Sequence, residues 1–149
     1  MTRKTGKKAK ARKARPAQDP VRAHLAERGS PDPVVKAGLA GLVGQWEDFA
    51  KAVGKRYDLG IEDYLNDLDV RQLIADVWDL AAVASTRRLA GRLAAADKRV
   101  RAATKAAAAC LWGSKVAKRE AYTPEANWWY YALPKRAGAE LREAVAEVS

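Results

Sequence analysis

The chain has 149 residues, 48% of them hydrophobic and 31% charged, with a formal net charge of +10. That length suits one domain with a core of its own. A single cysteine excludes an intramolecular disulfide and fits a reducing compartment, so a cytoplasmic setting is expected. With one histidine beside it, zinc-ligand spacing is excluded as well. No run of about 18 apolar residues is present to cross a membrane. No apolar stretch follows the basic start, which argues against a secretory signal.

The charge is unevenly spread. Residues 1–15 carry eight Lys/Arg and no acid, namely Arg3, Lys4, Lys7, Lys8, Lys10, Arg12, Lys13 and Arg15. Residues 45–80 hold nine acids against four bases, and residues 81–120 hold ten bases against two acids. The plainest account of the last two blocks is that they pair inside one bundle. Residues 1–18 lack bulky aliphatic side chains after Met1 and are expected to be a disordered tail. Like charges this dense suit a polyanion, with nucleic acid the leading candidate. A solubilising tail is the plain alternative.

Residues 19–149 are expected to form a single helical domain. Asp19-Pro20 reads as an N-cap and first helical position, with Gly29 as the stop. His24 lies in this helix without a Ser, Cys or Asp partner beside it and is read as a surface residue. Asp32-Pro33 repeats the start signal for a helix running to about Val53. Val35, Leu39, Leu42, Trp46, Phe49 and Val53 follow one another at spacings of four and three, which is a bundle seam. Gly38, Gly41 and Gly44 interrupt this helix and suit close backbone approach. They match no phosphate-loop pattern.

The stretch Tyr57–Val83 is expected to be the centre on which the other helices pack. Tyr57–Gly60 reads as a turn and Ile61–Asn66 as a short helix, with Asp67 or Asp69 capping a second one. Asp69, Gln72, Asp76 and Asp79 then share a polar face. They fail the calcium-loop test, and carboxylates near a helix start are the ordinary arrangement, so no metal or cofactor is expected. Ser85 or Thr86 should begin the longest helix, ending near Leu111, with Leu89, Leu93, Ala96, Val100, Ala103, Ala107 and Cys110 on its seam. Cys110 is read as a buried, inert thiol. Arg87, Lys98, Arg101 and Lys105 fall on the opposite face at 100° per residue, while Arg88, Arg92 and Arg99 flank the seam and suit ion pairs with the acidic helix.

Gly113 reads as a helix stop, Lys115–Glu120 as a short helical turn and Thr123-Pro124 as a further start. The run Trp128, Trp129, Tyr130, Tyr131 has no evident strand partner. It is read as core crossing the bundle, with a dimer contact or a base-stacking surface as alternatives. Gly138–Val148 reads as a terminal amphipathic helix.

The fold class expected is therefore all-α, a small bundle of about four to five helices with an irregular aromatic segment near the C-terminus. No catalytic pattern emerges, so a non-enzymatic role is expected. The leading function is binding of nucleic-acid phosphates, without base specificity, by the basic tail and the face of Arg87, Lys98, Arg101 and Lys105. The other is a protein-interaction module (adaptor, antitoxin-like partner or complex subunit). It would use Glu62, Asp63 and Asp67 together with Trp128, Trp129, Tyr130 and Tyr131.

Overall fold

A computed structural model describes residues 19–148. The predicted basic tail falls outside the described residues. The fold is a helical bundle with a small two-stranded sheet set against it.

Helix α1 spans Pro20–Glu27. The Asp19 carboxylate accepts from the backbone N–H groups of Val21 and Arg22, satisfying donors that a first helical turn leaves free. Gly29 ends the helix at φ 79°, with Ser30 N–H donating back to the Leu25 carbonyl as in a Schellman turn.

Helix α2 spans Asp32–Lys55 but is interrupted at Gly38, where φ is 64° and ψ −153°. That backbone region is essentially closed to side-chain-bearing residues. The Arg22 guanidinium takes up the Lys36 carbonyl beside the kink through its Nε and Nη2. Beyond the kink the predicted seam holds: Leu39, Leu42, Trp46, Phe49 and Val53 are all buried. Gly44 faces open space, so close approach is not its role.

Helix α2 is the hub of the fold. It packs on helix α3 (Ile61–Trp78), helix α4 (Val83–Ala103) and α1, whereas α3 and α4 have little direct backbone contact. The centre therefore lies one helix earlier in the chain than the sequence suggests. Trp46 carries it: its ring is fully buried and stacks on Phe49 at 5.0 Å between centroids. Phe49 in turn meets Tyr57 and Tyr64. Fully burying a large apolar side chain contributes about 1.5–3 kcal/mol, so this aromatic cluster is a main source of stability.

Helix α3 is continuous where a break and a new cap were expected. No Gly or Pro lies between Ile61 and Trp78, and Asp67 and Asp69 accept from tyrosine hydroxyls instead of capping a helix start.

Helix α4 starts slightly before the expected Ser85 or Thr86 and ends well before Leu111. Its alanine-rich continuation has high helix propensity, yet Thr104–Ala106 forms strand β1. Strand β1 pairs antiparallel with β2 (Ala132–Pro134), Thr104 opposite Pro134 and Ala106 opposite Ala132. The helix end is sealed from both sides. Thr104 Oγ1 donates to the Val100 carbonyl, while Lys135 donates its backbone N–H to Ala103 and its Nζ to Ala102.

Helix α5 spans Ser114–Glu120, so Gly113 precedes a helix and is not the stop of α4. Thr123-Pro124 forms a turn in which Thr123 Oγ1 accepts from Ala126 N–H. Trp128–Tyr131 is one turn of 3₁₀ helix. The chain closes with helix α6, Ala139–Ala144, and a 3₁₀ turn at Ala146–Val148. No helix among the described residues is long and apolar enough to cross a membrane.

Candidate nucleic-acid interface

The basic residues predicted on one outer face separate into two places. Arg87, Lys98 and Arg101 are all exposed on α4. At 1.5 Å of rise per residue, Arg87 stands ~21 Å from Arg101 along the axis. Lys98 and Arg101 are one turn apart near the C-terminal end. Lys105 is exposed on β1, not on the helix, because the strand pairing has already ended α4.

What gathers near that end is a different set. Lys51 comes from α2, Arg99 from α4, and Lys135 and Arg136 follow β2. Together with Ala50, Val53, Gly54, Ala102 and Ala103 they line a cleft of about 490 Å³ whose walls hold no carboxylate. Sequence spacing gives no sign of this grouping, since its members come from segments far apart in the chain. The one local hint is the Lys135-Arg136 pair behind Pro134. Glu47 and Asp48 line the adjoining cleft with Lys51 and Arg99, and Glu47 accepts from Arg92 through both carboxylate oxygens. That bond first holds the Glu47 carboxyl below its usual range; burial opposes it, and the charges of Arg92, Lys51 and Arg99 add to the lowering.

The pairing expected between acidic α3 and basic α4 is made once, with the charges reversed. Arg71 of α3 binds Asp97 of α4 through Nε at 2.9 Å and Nη2 at 3.0 Å, and Trp46 Nε1 donates to the same carboxylate at 2.8 Å. Arg92, expected to reach the acidic helix, instead reaches Glu47 on α2.

The acidic face of α3 is engaged in part by side chains from other segments of the chain. Asp69 accepts from the Tyr130 hydroxyl at 2.6 Å and from Trp112 Nε1 at 3.3 Å. Gln72 accepts from Asn127 and donates to Asp76, which also receives Arg28. Asp67 is half-buried and accepts from Tyr57 at 2.6 Å. Burial raises both aspartates above the ordinary carboxylate range, opposed by the tyrosine hydrogen bonds. Tyr57 and Tyr130 are raised in turn, by burial first and then by their bonds to those carboxylates. These hydroxyls remain protonated donors at any ordinary pH.

Of the predicted interaction set, Glu62 and Asp63 are exposed, Trp128 and Tyr131 are half-buried, and Trp129 and Tyr130 belong to the core. Burial leaves Trp129 and Tyr130 no surface to offer a partner. Cys110 is buried, as expected, but not on a helical seam, since α4 ends at Ala103. His24 is half-buried rather than on the surface, with Nε2 enclosed and unbonded. Among the described residues, no three of His, Cys, Asp and Glu converge on a point that would hold a metal ion.

Trp128 and Arg101, assigned separately by sequence, are brought together. The Arg101 guanidinium lies over the Trp128 ring, 3.9 Å from its centroid. Comparisons of the chain with family models, with curated proteins and with solved structures found no match.

Proposed function

We propose that the protein binds the phosphate backbone of nucleic acid and performs no chemistry of its own. Binding would be through the basic N-terminal segment and the basic surface around the end of α4. The observation that carries this reading is the acid-free cleft lined by Lys51, Arg99, Lys135 and Arg136. Asp76, Asp97, Glu47, Asp67 and Asp69 are engaged by Arg28, Arg71, Arg92 or tyrosine hydroxyls, while no carboxylate lines this cleft. Cations held on a surface displace counterions from a phosphate backbone, and affinity then falls steeply with salt. The proposed setting is the cytoplasm, where a lone buried thiol stays reduced.

The test is affinity for short oligonucleotides, single- and double-stranded, as a function of salt, for the full chain and for a chain beginning at Asp19. Truncation should leave helicity and melting almost unchanged and lower the affinity greatly. Lys135→Gln with Arg136→Gln should reduce the salt slope further, by about one unit for each phosphate no longer neutralised. No binding by either chain at low salt would overturn the proposal.

The exposed Leu59, 55% accessible and next to the exposed Asp58, Glu62 and Asp63, favours a second reading as a protein-binding module. Charge reversal at Glu62 and Asp63 separates the two. Loss of a protein partner with nucleic-acid affinity intact would favour the second.

A further inference from the structure

Beside the basic cleft lies a smaller one of about 240 Å³, lined in part by Arg101, Lys105, Pro124, Trp128 and Tyr131. Consecutive residues at the α4–β1 junction serve both: Ala102 and Ala103 face the larger cleft, Arg101, Thr104 and Lys105 the smaller. No carboxylate lines the smaller cleft either, and neither Arg101 nor Lys105 forms an ion pair among the described residues.

We infer that this cleft takes an unpaired nucleobase, stacked on Trp128, so that the nucleic acid bound is single-stranded. The inference rests on the proposed nucleic-acid function and narrows it to one substrate class. The Trp128 ring is held in place by edge contacts with Trp46 at 6.4 Å and Trp129 at 5.8 Å. The Tyr131 ring is fixed by its hydroxyl, which donates to the Tyr122 carbonyl. A rigid aromatic platform loses little freedom when a base settles on it, and every base has a π-face to offer.

Arg101 now covers the indole. Base-on-aromatic stacking exceeds an exposed cation–π contact, so a base displaces the guanidinium, and Arg101 is released to the neighbouring phosphate beside Lys105. A duplex cannot make this exchange without flipping a nucleotide out of its stack, which opposes binding. The backbone of the strand then runs on toward Lys135 and Arg136.

The experiment compares a short oligothymidine with an abasic strand of equal length and charge, both titrated into the full chain. The base-bearing strand should bind roughly ten- to hundred-fold more tightly, the stacking contribution of one base expressed as a ratio of constants. Trp128→Leu should abolish that ratio. Lys105→Gln, which removes a cation of the cleft that meets both strands, should weaken both together and preserve the ratio. If Trp128→Leu melts out, tryptophan emission of the unaltered protein gives a second reading: the base-bearing strand should quench it and the abasic strand should not. Equal, salt-steep binding of both strands, or equal quenching, would overturn the stacking site and leave backbone binding standing. Binding of neither strand at low salt would remove both proposals.

Discussion

Asp97→Ala tests how α2, α3 and α4 are held together. The Asp97 carboxylate accepts from Trp46 Nε1, Arg71 Nε and Arg71 Nη2, joining the three helices at one point. Its side chain is 20% exposed and that of Arg71 13%. Removing one partner of a fully buried ion pair costs about 3–5 kcal/mol. An indole N–H left without an acceptor in the core costs about 1–3 kcal/mol. Water still reaches the pair, so the two low ends taken together, about 4 kcal/mol, are an upper bound, and the loss should total about 3 kcal/mol. That is a large share of the roughly 5–15 kcal/mol by which a domain is stable, and it corresponds to a fall in Tm of roughly 6–12 °C. Urea unfolding followed by circular dichroism measures it, with an unchanged m-value showing that the denatured state is not the cause. Asp97→Asn keeps an acceptor for Trp46 and should lose about half as much. A loss below about 1 kcal/mol for Asp97→Ala would refute the view that this carboxylate joins the helices.

Asp69→Asn should be as stable as the parent, or slightly more so, at pH 7. Burial raises the Asp69 carboxyl, so the folded chain holds its proton more tightly than the unfolded chain. Its stabilising contribution is therefore fullest below the unfolded value of about 3.9 and is lost as pH rises through the folded value. Asparagine still accepts from Tyr130 and Trp112, and the pH dependence in that window should flatten. A fall of more than about 1 kcal/mol by urea unfolding at pH 7 would show the charge itself to be needed. Gly38→Ala should cost about 1–3 kcal/mol from backbone conformation alone, because the added Cβ would meet only the Arg22 guanidinium, at 3.6 Å. Gly91→Ala, in a helix with open space around it, should instead stabilise by about 0.5–1 kcal/mol, and thermal melts of the two distinguish the cases. Cys110 should react with a thiol reagent far more slowly in the native protein than in urea, and equal rates would contradict its burial.

Local features of the sequence carried the helices. Asp19-Pro20 started α1 because capping is settled within a few residues. The four-three spacing from Leu39 to Val53 and from Leu89 to Val100 buried those side chains because helix geometry puts them on one face. The division of charge between a basic front and a nearly neutral body is likewise a property of the sequence alone.

Tertiary structure decided the rest, and in each case the determining partner is remote in the chain. The alanines after Ala103 favour helix, but Ala132–Pro134 takes up the backbone groups of Thr104–Ala106, and a three-residue strand forms only where such a partner exists. Asp67 and Asp69 resemble caps until Tyr57 and Tyr130 claim them. That same pairing of β1 with β2 sets Lys105 beside Trp128 and Lys135 beside Arg99, forming both clefts. Periodicity describes a residue's position on its own helix. Which remote residues share a surface follows from how the elements pack, because burial and hydrogen-bond satisfaction are settled across the whole fold.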